Sequence, residues 1–141
     1  MGRAAIHKNE FTPFGLWIKE YVEPHMTVTN IDYWLLKTDG NIVHTMLIEE
    51  KTNAGSMTPA QCTALRFLMN QLLATNGTDY DFGKNDNKDL KKIDFWGFYL
   101  LKFPRSATMP GPGMTLNGRE ITVEELQKHL SFIKMFCEGK F

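Results

Sequence analysis

Two apolar runs flank a tight turn early in the chain: Val28 to Leu36 and Ile42 to Ile48, on either side of Asp39-Gly40. Both runs are rich in β-branched, aromatic and aliphatic residues, and Asp-Gly between such runs is a strong short-range signal for an antiparallel hairpin. A two-residue loop at Asp39 and Gly40 pairs Thr38 with Asn41, so Asp32 falls opposite Leu47 and Glu49 becomes its diagonal neighbour. Side chains alternate along a strand and cross-strand partners share a face, so Asp32, Glu49 and Lys51 project from one face and Glu50 from the other. Diagonal partners of this kind have Cα atoms about 7–8 Å apart.

Helical spacing governs the flanking segments. Thr12-Pro13 reads as an N-cap followed by proline at the first helical position, with Phe14, Trp17, Ile18, Tyr21 and Val22 forming a stripe that should pack on the sheet. A second helix opens at Thr58-Pro59-Ala60-Gln61, a capping box, and carries Gln61, Leu65, Leu68 and Leu72 along one side. Asn76 to Lys92 is the longest polar stretch and reads as a mobile surface loop. Ile93 to Phe103 is apolar apart from Asp94 and Lys102, as expected of a strand covered on both faces. Pro104 to Gly113 is a connector, and Thr115 to Ile121 predicts a small hairpin about Asn117-Gly118. A second capping box, Thr122 to Glu125, starts a last helix with Val123, Leu126, Leu130 and Ile133 inward.

These elements alternate helix and strand, which predicts a single α/β domain across the 141 residues. The 43% hydrophobic content is ordinary for a globular protein, and no apolar run approaches the length of a membrane span. No secretory leader pattern opens the chain, so cytoplasmic residence is the expectation. Cys62 and Cys137 read as core thiols, and two cysteines are too few for an iron–sulfur cluster within this chain. No two of His7, His25, His44 and His129 have metal-ligand spacing, and each reads as a core or surface residue.

Formal net charge is zero. Locally the pattern differs: Lys84, Lys88, Lys91, Lys92, Lys102 and Arg105 face only Asp86, Asp89 and Asp94, a local excess of +3 between residues 84 and 105. A solvated mixed-charge loop and a patch contacting a phosphate backbone both fit this run, the contacts then falling to Lys84, Lys88, Lys91, Lys92 and Arg105.

Carboxylates and a lysine at the edges of buried strands are costly to desolvate, which marks Asp32 and Glu49-Glu50-Lys51 as candidates for chemistry. Asp followed by Glu-x-Lys at the ends of adjacent strands resembles the PD-(D/E)xK nuclease superfamily. The order of elements over residues 12 to 103 is similar too. The Asn30-Ile31-Asp32 segment lacks the proline of the name, and Leu65 stands where RecB-type exonucleases often carry a tyrosine. The resemblance implies a restriction-endonuclease-like αβββαβ core, a mixed sheet flanked by helices. It further implies a Mg²⁺-dependent nuclease acting on DNA, with Mn²⁺ as a substitute metal. Asp32, Glu49 and the Glu50 carbonyl would hold the ion, and Lys51 would orient the attacking water.

Gln61 has two readings at this stage, a helix cap or a contact to the active site as in that family. Glu20 lies off the first helix's stripe and reads first as a solvated flank residue, although Glu20 or Glu23 would supply an extra carboxylate if the helix followed some family members. A non-catalytic nucleic-acid-binding or protein-interaction module on the same fold, and an RNA-cleaving enzyme, are the alternatives. Homodimer formation stays open, and no membrane partner is expected.

Overall fold

A computed structural model describes residues 13–21, 31–52, 55–104 and 108–139. The predicted cap Thr12, the start of the first apolar run at Val28, Val22, Glu23, Arg105, His7 and His25 lie outside the described residues, as do the side chain of Ile18 and residue 53. The chain is α/β. Its described elements are α1 (Pro13–Tyr21), β1 (Tyr33–Asp39), β2 (Ile42–Thr52), α2 (Pro59–Thr75), β3 (Asp79–Asp81), β4 (Leu90–Phe103), β5 (Thr115–Leu116), β6 (Arg119–Glu120) and α3 (Val123–Leu130). The six strands form one mixed sheet in the order β1-β2-β4-β5-β6, with β3 paired to the start of β4.

β1 and β2 form the expected hairpin with a shifted turn. Asp39 pairs with Ile42 and Tyr33 with Ile48, so the loop is Gly40-Asn41 and not Asp39-Gly40. Gly40 supplies the positive φ, +62°, at the first loop position, which only glycine adopts without strain. The shift is two residues in pairing, so every side chain keeps its predicted face. Asp32, one residue before β1, comes level with Glu49 instead of lying diagonal to it.

From β2 the chain crosses through α2 and returns parallel in β4, pairing Ile42 with Lys92 and Thr52 with Phe103. A parallel return needs such a crossover. It leaves β2 central, flanked by β1 and β4, and buried from Thr45 through Lys51. Leu65 and Met69 of α2 cover one face of the sheet with Leu47, Phe95 and Phe98. The other face packs Met46, Ile48, Tyr99, Leu101 and Phe103 against Met114, Leu116, Leu126 and Phe132.

β4 contains an irregularity that the apolar run conceals. Phe95 and Phe98 belong to the same core although they are three positions apart, because the register with β2 slips between Thr45 and Leu47. The extra residue lies at Trp96-Gly97. Gly97 has φ +117°, and a Cβ there would lie 2.1 Å from the Gly139 carbonyl oxygen. The main chain at Gly139 is bridged to Gly97 at this bulge.

Three expectations change. Asn76 to Lys92 is not a single loop: β3 pairs with Leu90, Lys91 and Lys92, and the Asp81 carboxylate accepts from the Gly83 and Asp89 N–H groups at 2.9 and 2.8 Å. Residues that look polar in sequence are thus an edge strand with a side-chain-closed turn. On α1, Phe14, Trp17 and Tyr21 stack on one another and stay exposed, so they do not form the predicted sheet-packing stripe. On α3, Leu126 is buried and Leu130 packs on the core, while Val123 is exposed and Ile133 lies beyond the helix, also exposed. Phe132 adopts φ +58° after the helix ends and turns its ring into the core instead.

The inward position on α3 is taken by His129, which is fully buried. Its Nδ1 accepts from the Phe136 N–H at 3.1 Å, and its ring meets Tyr99 edge-on at 4.4 Å and Trp96 at 5.3 Å. Burial pushes its pKa down to about 4 from 6.5. A depressed histidine is neutral when folded and protonates when unfolded, so it removes stability as pH falls from 6.5 to 4. We expect His129→Gln, which can still accept from Phe136, to lose this slope. Urea titrations at pH 7, 5.5 and 4 should show wild type losing ground to the variant on the order of 2–3 kcal/mol over that window. A constant difference across it would refute the assignment.

Candidate active site

β2 carries its charges at its C-terminal end, where alternation sends Glu49 and Lys51 to the α2 face with Leu47, and Glu50 to the opposite face with Met46 and Ile48. Asp32, Glu49 and Lys51 are 3%, 2% and 7% exposed. Carboxylates this deep need partners. The β1–β2 ladder ends at Tyr33 and Ile48, and beyond it the Glu50 N–H donates to Asp32 Oδ2 at 2.9 Å, the side chain standing in for the missing strand. In an extended strand the N–H and C=O of one residue face the same neighbour, so the Glu50 carbonyl also faces the β1 side.

Glu49 Oε2 is held from two directions. Lys51 Nζ lies 3.6 Å away and Gln61 Nε2 donates to it at 3.4 Å. Gln61 also completes the capping box of α2: its Oε1 accepts from the Thr58 N–H and its own N–H donates to Thr58 Oγ1, both at 3.1 Å. Cap and site contact are therefore made by one side chain, oxygen to the helix start and nitrogen to the carboxylate. Leu65 and Met69, buried one and two turns further on, fix α2 on the sheet and so fix Gln61 over Glu49.

Glu49 Oε1 is buried without a hydrogen-bond partner. Burial, then the neighbouring Asp32 charge, push the Glu49 carboxyl up to about 7, with Lys51 pulling the other way. Asp32 is raised as well, by burial first and then by Glu50, against the Glu50 N–H and Lys51. Two adjacent carboxyls of this kind cannot both ionise cheaply without a cation.

Glu20 is exposed on α1, and no hydrogen bond or ion pair joins it to Asp32 or Glu49 among the described residues. The predicted backbone-contact lysines are not beside these carboxylates. Lys92 is level with Ile42 and Glu49 with Leu100, seven residues along β2, which is roughly 23 Å at strand rise. Lys91 pairs with Asp89 at 3.2 Å and reaches the Gly40 carbonyl, and Lys92 lies 3.3 Å from the Gly77 carbonyl and 3.9 Å from Asp79. Lys84 and Lys88 are exposed on the β3–β4 turn. No cluster of three or more His, Cys, Asp or Glu side chains suited to a metal occurs among the described residues, so oxygen donors beyond Asp32 and Glu49 would have to come from main chain or water.

One residue on the site face was not singled out by the sequence. Lys102 pairs with Lys51 across β2 and β4. In an unbroken strand Lys102 would share a face with Trp96, away from Phe95; the bulge at Trp96-Gly97 reverses that parity and sends Lys102 to the α2 side. No feature of the apolar run around it reveals this.

The electrostatics predict a stability signature. Glu49 has a raised folded-state pKa, so its stabilising protonation is complete below pH 4.5 and is lost as pH rises through about 7. Glu49→Gln removes the charge. In chelated buffer the variant should be the more stable protein at pH 8, by on the order of 2–3 kcal/mol relative to the wild-type comparison at pH 4.5. Denaturant titrations at both pH values check this, and a gap that does not widen with pH would mean that Glu49 is better solvated than its burial indicates.

Comparison with protein-family models, with curated sequences and with solved structures returns no match.

Proposed function

We propose that this chain is a Mg²⁺-dependent nuclease that hydrolyses phosphodiester bonds in DNA on a restriction-endonuclease-like core. The observation that carries the proposal is Glu49: one carboxyl oxygen is fixed by Lys51 and Gln61, and the other is buried, unpartnered and next to Asp32. An orphaned anionic oxygen beside a second carboxyl fits a hard cation. Asp32, Glu49 and the Glu50 carbonyl would hold Mg²⁺, with Mn²⁺ as a substitute, and the ion tolerates few protein ligands because it keeps several waters. Element order fits that core in part: a helix precedes the hairpin and the parallel strand β4 follows α2, whereas two strands, not the three of the expected αβββαβ order, lie between α1 and α2 among the described residues.

When bound, the ion supplies positive charge that acidifies the attacking water and offsets charge developing on the phosphate. The remaining work falls to side chains of this chain. Gln61 fixes the rotamer of Glu49, so the oxygen left for the cation is Oε1. Lys51 sits one strand step beyond Glu49, where its ammonium orients the water and favours the hydroxide. Asp32 is oriented by the Glu50 N–H and contributes the second negative charge. Glu50 points its carboxyl to the other face, so it serves the site through its main chain alone and its side chain has no part in the reaction.

The depth of the charges favours a second reading, a non-catalytic module on the same fold that binds nucleic acid or a protein. Purified protein incubated with supercoiled plasmid, linear duplex, single strands and structured RNA, with and without Mg²⁺, separates the two. Metal-dependent cleavage of DNA supports the nuclease. Cleavage of RNA alone would reassign the substrate, and cleavage of none would leave the module.

Lys51→Ala should lower the cleavage rate on the order of 10²–10³-fold with the fold intact. Asp32→Asn and Glu49→Gln should lose both metal affinity and activity, whereas Glu50→Gln should retain most of each. Calorimetric Mn²⁺ titration beside a cleavage assay checks the set. An inactive Glu50→Gln with an active Glu49→Gln would place the chemistry on the wrong face of β2.

A further inference from the structure

The charged groups on the α2 face form two transverse rows. Asp32 and Glu49 make the first, with Leu100 level on β4. Lys51, Lys102 and Thr115 make the second, on β2, β4 and β5, joined by the pairs Lys51 with Lys102 and Lys102 with Thr115. The second row lies two residues along the strands, about 7 Å from the first, and neighbouring members stand about 4.8 Å apart.

The second row is cationic and only half neutralised. Lys51 is held by Glu49. Lys102 is partly buried and makes no ion pair among the described residues; Glu50, the other carboxylate on β2 nearby, projects from the opposite face. Like charges directly opposite on neighbouring strands are destabilising. A structural role does not account for a second ammonium set beside Lys51 at a partly buried position, where an apolar residue would pack as Leu100 does. Thr115 adds a hydroxyl donor on the same line, also partly buried. Two lysines and a threonine in a row, with no carboxylate among them, can offer two ammonium donors and a hydroxyl donor to a tetrahedral oxyanion.

We propose that Lys102 and Thr115 form a phosphate-binding row that holds the backbone phosphate adjoining the one to be cut. The proposal rests on the nuclease reading for its substrate, and on the row itself for its chemistry. Lys102 touches substrate but not the reacting atoms, so its removal should act on binding and salt dependence more than on turnover.

The test compares wild type, Lys102→Gln, Lys102→Arg and Thr115→Val. Steady-state cleavage of an oligonucleotide is measured across a salt series, and inorganic phosphate is titrated into each protein by NMR. Lys102→Gln should raise KM about 10- to 100-fold, the loss expected for one charge-assisted hydrogen bond, with a smaller fall in kcat. Its binding should lose about one unit of salt slope, and Lys102→Arg should restore both. Inorganic phosphate should shift the Lys102 and Thr115 amides of wild type saturably, with the shift weakened in Thr115→Val and absent in Lys102→Gln. A wild type that cuts, beside a Lys102→Gln with unchanged KM and salt slope, overturns the row and leaves the nuclease standing. If wild type cuts nothing, the nuclease reading fails and the phosphate titration decides the row alone: loss of the shift in Lys102→Gln upholds it, and no shift in wild type overturns it.

Discussion

The end of β2 is where this structure takes its largest physical risk: three consecutive ionisable residues, Glu49, Glu50 and Lys51, lie on a central strand and are nearly inaccessible to water. Burying an isolated charge is prohibitive, so the surroundings must be arranged to compensate. Asp32 receives the Glu50 N–H, Glu49 is held by Lys51 and Gln61, and the hairpin, the crossover and the cap of α2 are the elements that deliver those groups. The compensation is incomplete at Glu49, whose second oxygen makes no well-formed hydrogen bond and whose carboxyl is driven toward neutrality despite the nearby Asp32 N–H. A purely structural cluster gains nothing from that deficit. The proposed cation would fill it.

β4 is the second constraint, because a 14-residue strand beside β2 has a far edge that no single strand covers. β3 pairs with its start and β5 with its end. Between them the donors and acceptors are met piecemeal: Gly77 N–H to the Ile93 carbonyl at 2.8 Å, Asn76 Oδ1 from the Phe95 N–H at 2.8 Å, and Asn117 to both Leu100 N–H and the Phe98 carbonyl at 2.7 and 3.1 Å. Asn117 adopts φ +50° in the β5–β6 turn, which aims its amide at that edge. Turn residues thus act as surrogate strand and keep a long edge from being left open.

His44 shows the same economy of polar groups inside the sheet. Its Nδ1 lies 2.7 Å from Asp94 Oδ2, which also accepts from the Trp96 indole at 3.0 Å. Phe132 stacks against the histidine ring and meets Trp96 edge-on, so this polar triad is bounded by the core on the α3 side. Within this triad the polar contacts are made, whereas the nearby His129, fully buried, leaves its Nε2 without a partner.

Local chemistry determined much of this protein from sequence alone. Both capping boxes, the hairpin at Asn117-Gly118, the β1–β2 hairpin and the common face of Asp32, Glu49 and Lys51 follow from side-chain hydrogen bonding, turn preferences and strand alternation, all of which act over a few residues. The exact β1–β2 turn did not, since Asp39-Gly40 and Gly40-Asn41 offer the same glycine to two loops of equal parity. Other features depended on distant chain. Within the Asn76 to Lys92 segment, Asp79 to Asp81 became a strand because β4 offered an edge, which the segment's own polar composition does not encode. The stripe on α1 remained exposed because helical spacing specifies a face but not a partner. Most consequentially, the bulge at Trp96-Gly97, where Gly139 closes on the strand, inverted the alternation of β4 and brought Lys102 to the side of Lys51. Strand parity is a local rule until one inserted residue breaks it, and whether a chain accommodates that residue is decided by what packs against it.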